Sequence, residues 1–215
     1  MSSSKSIIIS CAGIGSRLGL GTTKALLEIN GQTLIAWQLE LFKEVNDIRI
    51  VVGYQAREVI EEVLRYRKDV IFVVNHNYFE TKTGASFYLG AKDANELVIE
   101  LDGDLLVHPE DVKKVLETDD EFIGYSDISS DDAVFVKLDQ NENVIGFSTE
   151  IGDGEWVGPA CIKKEKITYN SGNVYNILEP HLPIKGIKIR AWDIDTYDDY
   201  TRVSKIFNSI INDGQ

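Results

Sequence analysis

The sequence predicts an α/β fold, a mixed and mostly parallel sheet with covering helices, and three observations predict it. Short, nearly continuous apolar runs rich in β-branched residues recur through the first half of the chain, as strands buried on both faces require. Patterns of helical period lie between them, which is the arrangement that a parallel sheet with crossover helices leaves in a sequence. After about residue 120 the strand-like runs follow one another with turn signals and no intervening helices, so antiparallel or mixed strands extend the sheet.

Taken in order, "SIIIS" (Ser6 to Ser10) is the first strand, and "IRIVVGY" (Ile48 to Tyr54), "VIFVVN" (Val70 to Asn75) and "ELVIELDGD" (Glu96 to Asp104) follow it. Between the first two, "TLIAWQLELFKEV" sets Ile35, Leu39 and Phe42 on one helical stripe, with Leu34, Leu41 and Val45 beside it. "QAREVIEEVLRYR" repeats that pattern with Val59, Ile60, Val63 and Leu64. In the second half "EFIGYS", "AVFVKLD", "VIGFSTE" and "GPACIKK" are strands, separated by turns such as "QNEN" and "GDGE". "GIKIRAWDIDTYDDY" gives a late strand that runs through an acidic turn into a last helix, from about Tyr197 to Asn212. No internal repeat, low-complexity stretch or linker interrupts the 215 residues, and a single domain over 1–215 is expected.

Composition narrows the function. With 22 basic against 35 acidic residues the net charge is -13, which repels a nucleic-acid backbone or an anionic membrane. "MSSSKS" is polar and no eighteen apolar residues run together, so a cytoplasmic location is expected. Cys11 and Cys161 match no metal or redox spacing and are read as free thiols. His76, His108 and His181 have no ligand spacing, and neither GxSxG nor HExxH occurs. An acidic chain that binds phosphates needs local cations and a divalent metal to offset repulsion.

The stretch "SCAGIGSRLGLGTTKALLEI" (Ser10 to Ile29) supplies those cations. A glycine-rich turn after a first strand lets backbone N–H groups approach an anion. A P-loop is excluded, because the fifth residue after Gly13 is Leu18, and the dinucleotide fingerprint fails at the same position. What is left is AGxGxRL followed by a lysine, with Arg17 and Lys24 facing the phosphates of a nucleoside triphosphate and Gly13 and Gly15 giving room to wrap them.

"CAGIGSRLGLGTTKALLEINGQTLI", "LDGDLLVHPEDV" and "WDIDTYDDY" together resemble the nucleotidyltransferases that activate sugar phosphates and small alcohol phosphates. Within that superfamily the chain looks closest to the short cytidylyltransferases of the phosphocholine and aminoethylphosphonate type. Three departures are visible: Thr22-Thr23-Lys24 stands where many relatives have Thr-Pro-Lys, Cys11 where alanine is more usual, and the interval from Arg17 to Lys24 is shorter than in most sugar-phosphate enzymes. The resemblance implies a Rossmann-like, nucleotide-diphospho-sugar transferase-like fold, with a nucleotide-binding half over about 1–118 and an acceptor-binding half over about 119–215. It implies transfer of CMP from CTP to a small phosphorylated or phosphonylated metabolite with release of pyrophosphate, and products of this kind commonly feed surface polysaccharide. The runner-up is a sugar-1-phosphate nucleotidyltransferase using UTP, GTP or dTTP. A non-catalytic nucleotide-binding module is the reading outside enzymes, and association into a homo-oligomer is left open.

Carried onto this chain, the resemblance makes Arg17 and Lys24 catalytic and sets Ala12, Gly13, Gly15 and Ser16 against the nucleotide. It also places Thr83, Gly84 and Ser86 near the base. Asp102 and Asp104, two apart at a strand end, can point to one side of the sheet, and the resemblance puts a Mg²⁺ ligand there, with Asp104 favoured, and a second at Asp195. An Asp-Gly-Asp is also a common turn, and "DIDTYDD" also suits a helix start; their appearance together with the opening loop favours a metal. Glu155 and Trp156 are expected at the acceptor, with Tyr175 and Trp192 as further aromatics able to frame a cationic head group. Gln55 is expected either at the base or opening a helix.

Overall fold

A computed structural model describes residues 5–15, 21–129 and 133–213. In chain order the elements are β1 (Lys5–Cys11), β2 (Glu28–Ile29), β3 (Gln32–Thr33), α1 (Leu34–Leu41), β4 (Asp47–Val52), α2 (Ala56–Tyr66), β5 (Ile71–Val74), α3 (Thr83–Ala91), β6 (Leu97–Asp102), β7 (Leu105–Val107) and α4 (Pro109–Glu117). The second half supplies β8 (Phe122–Ser126), β9 (Phe135–Leu138), β10 (Asn143–Ser148), β11 (Gly154–Lys163), α5 (Tyr175–Leu178), β12 (Ile184–Lys188), β13 (Ala191–Asp193) and α6 (Tyr197–Asp213). Arg17 and Ser16 lie outside the described residues.

One sheet runs β5-β4-β1-β6-β11-β8-β12-β10-β9. Its first four strands are parallel, each reached by a crossover, and β11 then enters antiparallel against β6. β9 pairs with β11 as well as with β10, so β11, β8, β12, β10 and β9 close into a ring. The second half is thereby a curled annex to an open α/β sheet, which leaves β5 as the sheet's free edge among the described residues.

The sequence explains the layering. Ile7 and Ile9 of β1 point into one cluster with Ile35 and Leu39 of α1, Phe42 at its C-terminal end and Val59 and Val63 of α2, while Ile8 points the other way, onto Phe87 and Ala91 of α3. Alternate residues of a strand face opposite sides, and because all three isoleucines are fully buried the strand has to be apolar on both. Each buried isoleucine contributes about 2 kcal/mol of transfer free energy as an upper estimate. Gly90 lets α3 lie against β1, since a Cβ there would sit 2.5 Å from Ile8 Cγ2. A third cluster joins Leu27, Ile29 and Leu34 to Leu106, Ile194, Val203 and Phe207, so α6 packs back onto the segment that follows the opening loop.

The expected parallel first half and the last helix are present, and the helix expected over 33–45 forms over Leu34–Leu41 only. A further helix, α4, forms over "PEDVKKVLE", begun by Pro109 in its first turn and by His108 Nδ1 accepting from Glu110 N. The β7–β13 pairing joins segments far apart in the chain, with Leu105 opposite Asp193 and Val107 opposite Ala191. No helix among the described residues is long and apolar enough to cross a membrane.

Candidate active site

A cleft of about 590 Å³ opens at the carboxyl ends of β1 and β6, where open α/β sheets bind their ligands. Gly13, Gly15, Thr23 and Lys24 line it from the opening loop, Asp102 to Asp104 from the end of β6, and Asp193 and Asp195 from β13 and the turn after it. Glu155, Trp156 and Tyr175 of the second half line it as well.

The β7–β13 pairing is what brings the two acidic motifs together. Lys24 Nζ donates to Asp104 Oδ2 at 2.6 Å and also to Asp195 Oδ1. Burial alone opposes charge on Lys24, but attraction from Asp104 and then Asp195 outweighs it and raises its pKa above the usual lysine range, so it is a fixed cation at any physiological pH.

Several local devices hold this arrangement. Gly15 has φ +68, and a side chain there would meet Lys24 Cγ at 3.1 Å and Thr22 O at 3.2 Å, which keeps the loop close to the lysine. Gln55 heads α2 in the left-handed region at φ 49, and its Oε1 accepts from Thr23 N at 2.7 Å. Of the two roles expected for Gln55, helix opening is observed, together with a tie to the residue before Lys24. Gln38 of α1 is 1% exposed and donates through Nε2 to both Asp102 O and Leu105 O at 2.7 Å, clamping the Asp-Gly-Asp turn. Gly103 completes the clamp: its N–H donates to Ser10 O at 3.0 Å, and a Cβ there would lie 2.9 Å from both Cys11 Sγ and that carbonyl oxygen.

Behind Lys24 lies a cluster of buried carboxyl groups that resist ionising together. Burial, then repulsion from Asp104, pushes Asp102 up to about 7. Burial followed by the charge of Asp102 raises Glu100 well above its usual range, and burial followed by Asp104 does so for Asp193. Asp102 Oδ1 and Asp193 Oδ1 are buried without a hydrogen-bond partner among the described residues. Carboxylate oxygens left unpaired beside Asp104 and Asp195 are the donor chemistry that a small hard cation takes. Among the described residues no set of three or more His, Cys, Asp and Glu side chains holds an ion unaided, so remaining ligands would come from phosphate oxygens and water. Cys11, buried beside this cluster with its pKa raised by burial and then by Asp104 and Asp102, is an inert thiol.

The other expected residues divide. Thr83 lines the cleft as the first residue of α3. Gly84 and Ser86, expected at the base, are not among the residues that line it. Gly84 N donates to Gly172 O at 2.9 Å, and a Cβ there would sit 2.8 Å from that oxygen, so the glycine serves the docking of α3 on the 170–173 loop. Ser86 Oγ is buried and accepts from Asn75 Nδ2 at 3.1 Å. Ala12 is likewise buried and absent from the cleft wall, and its carbonyl accepts from Tyr54 N. Glu155 Oε2 accepts from Ser129 N at 2.7 Å and from Ser129 Oγ at 3.1 Å, and Trp156 stacks edge-on against Phe147 at 5.6 Å. Tyr175 packs on the same Phe147 at 5.6 Å. Trp192 also lines the cleft, near His108 at 6.2 Å between ring centroids.

The family model described as "MobA-like NTP transferase domain" matches residues 7–141. The chain belongs to that family. As a MobA-like NTP transferase, it carries a nucleotidyltransferase domain, and its match to curated proteins is partial. It is 38% identical over 101 residues to a choline-phosphate cytidylyltransferase of Streptococcus pneumoniae, covering 44% of this chain and 43% of that protein. It is 31% identical over 112 residues to the bifunctional protein GlmU of Aliarcobacter butzleri, covering 51% of this chain and 26% of that protein. The matched stretches therefore span less than half the length of these curated relatives. In fold, this transferase domain is similar over almost its full length to the inositol-1-phosphate CTP transferase from T. maritima, with TM-score 0.82 at 19% identity, covering 98% of this chain and 97% of that one. It is also similar to the CTP:phosphocholine cytidylyltransferase LicC from Streptococcus pneumoniae, with TM-score 0.74 at 21% identity, covering 94% and 99%.

Proposed function

We propose that this transferase is a Mg²⁺-dependent cytidylyltransferase that moves CMP from CTP to a small phosphorylated or phosphonylated acceptor and releases pyrophosphate. The observation that carries the proposal is the bridge from Lys24 to Asp104 and Asp195 at the floor of the cleft. That bridge joins one fixed cation to two carboxylates able to share a metal with phosphate oxygens. The choice of CTP is supported by the cytidylyltransferase relative at 38% identity.

In the proposed reaction an acceptor phosphate or phosphonate oxygen attacks the α-phosphorus, a new P–O bond forms, and the bond to the β-phosphate oxygen breaks. Both electrons of the broken bond leave with pyrophosphate. No protein nucleophile is required, so the chain contributes positioning and charge stabilisation. Asp104 and Asp195 would hold Mg²⁺, which when bound would supply neutralisation of phosphate charge. Lys24 would stabilise the charge that gathers on the triphosphate, with Arg17 of the same loop as the second cation. Gly13, Gly15 and Ser16 would wrap the phosphates, Thr83 would face the base, and Glu155 and Trp156 would hold the acceptor. The halves over about 1–118 and 119–215 would thus serve nucleotide and acceptor.

Pyrophosphate release with each of four ribonucleoside triphosphates, Mg²⁺ and a panel of alcohol phosphates, phosphonates and sugar phosphates tests this reading. Release with CTP and an alcohol phosphate or phosphonate is expected. Release confined to UTP or GTP with a sugar phosphate would instead favour a sugar-1-phosphate nucleotidyltransferase, a reading supported by the GlmU relative at 31% identity. Nucleotide binding with no turnover across the panel would point to a binding module.

A further inference from the structure

The cleft is electrostatically lopsided. Six carboxylates line it among the described residues, against two cations, Lys24 and Arg202. A triphosphate entering such a cleft meets repulsion unless each cation is placed to receive it. Lys24 is already engaged by Asp104 and Asp195. Arg202, on α6, is differently held.

Its side chain is 40% exposed, and among the described residues its one hydrogen bond runs from Nη2 to Asp199 Oδ1 at 2.9 Å. Asp199 is itself fixed: its Oδ2 accepts from Thr196 N at 3.0 Å and from Thr196 Oγ1 at 2.7 Å, while its own N–H donates back to Thr196 Oγ1 at 3.1 Å. Burial opposes ionisation of Asp199, but hydrogen bonds from Thr196 and then Arg202 outweigh it and hold the carboxyl below its usual range. Thr196 directly follows Asp195, so the start of α6 aims the guanidinium from the same turn that supplies the carboxylate on Lys24. A guanidinium has five N–H donors in a rigid fork suited to phosphate oxygens, and four of Arg202's have no partner among the described residues.

Where Arg202 sits decides which phosphates it serves. Tyr200 Oη donates to Glu28 O at 2.8 Å, and Val203 and Phe207 pack with Leu27 and Ile29. α6 is therefore anchored to the segment that runs straight on from Lys24, on the side of the opening loop. Trp156 and Glu155 belong to β11, which lies across β6 from β1 and its opening loop. We infer that Arg202 binds the β- and γ-phosphates of the triphosphate and holds the departing pyrophosphate, with Asp199 as its positioning residue. The inference rests on the reading of the cleft as a nucleoside triphosphate site.

Calorimetric titration of the full chain with magnesium pyrophosphate, and separately with CMP, tests it without requiring turnover. Arg202→Ala is expected to weaken pyrophosphate binding by about tenfold or more while CMP binding stays within about twofold, and Arg202→Lys to recover part of the loss. Asp199→Asn is expected to weaken pyrophosphate binding several-fold. In turnover, KM for CTP rises in Arg202→Ala and KM for the acceptor does not. Pyrophosphate binding by Arg202→Ala within about twofold of wild type overturns the inference, as does equal weakening of pyrophosphate and CMP, or a wild type that does not bind pyrophosphate. A wild type that binds pyrophosphate through Arg202 yet turns over no nucleotide would sink the transferase proposal and leave this one standing.

Discussion

Lys24 Nζ lies 2.6 Å from Asp104 Oδ2 while also donating to Asp195, so one ammonium ties together carboxylates from the middle and the end of the chain. Removing it should remove stabilisation made where charge develops. Lys24→Ala is expected to lower kcat by about 10²- to 10³-fold, the usual magnitude for one such group, with the circular dichroism spectrum unchanged. Near wild-type turnover in a folded Lys24→Ala protein would overturn the assigned role.

Why that bridge was only half legible in the sequence follows from how each part is encoded. Lys24, Asp104 and Asp195 each sit in a short motif with a recognisable order, and the apolar runs around Ile7, Ile50 and Ile99 announce a parallel sheet by composition alone. Gln38, by contrast, sits within a helix whose stripe reads as ordinary core packing, and nothing local says that its amide reaches 64 residues along the chain to Asp102. The ring closed by β9 on β11 depends on non-local pairing in the same way. Gly84 and Ser86 show the reverse: small residues at a helix start read as ligand contacts, and the structure adds a packing role for each, in backbone docking and in the bond from Asn75. Arg202 escaped notice because one arginine on an amphipathic helix is usually a solvated charge.

Chelation gives a second prediction. With Asp102 Oδ1 and Asp193 Oδ1 unpartnered among the described residues and next to Asp104 and Asp195, the metal-free site carries repulsion that a divalent cation relieves. EDTA should abolish pyrophosphate release, and excess Mg²⁺ should restore it. Asp104→Asn should shift the Mg²⁺ titration of activity to about tenfold or more higher concentration, because one of two protein ligands loses its charge. A Mg²⁺ curve unchanged in Asp104→Asn would remove that residue from the metal site.

The clamp by Gln38 is a third. Gln38→Leu keeps roughly the volume but takes away the donor from both Asp102 O and Leu105 O, and a buried acceptor left unpaired costs about 1–3 kcal/mol. Urea denaturation should show a loss of about 2 kcal/mol. Activity should fall as well, since the turn that presents Asp104 is loosened. A variant as stable as wild type but inactive would mean that Gln38 acts on the chemistry rather than on the turn.

Stability at low pH gives the fourth, through a pair remote from the cleft. Asp111 is 2% exposed in its side chain and accepts from Arg190 N at 2.9 Å and Arg190 Nε at 2.8 Å, with Lys114 Nζ at 2.7 Å. Burial opposes its ionisation, but the hydrogen bonds from Arg190 and then Lys114 outweigh it and hold the carboxyl well below the usual range. A carboxyl whose folded pKa is depressed binds fewer protons folded than unfolded, so its contribution is present above the unfolded value near 4 and is lost as pH falls through the folded one. Asp111→Asn should therefore be less stable than wild type by about 2 kcal/mol at pH 7. The gap should narrow steadily below about pH 4 as wild-type Asp111 loses its advantage. Unfolding free energies of the two proteins across pH 3 to 7 check the sign directly: a gap that widens on acidification would mean that Arg190 does not hold Asp111 ionised in the folded protein.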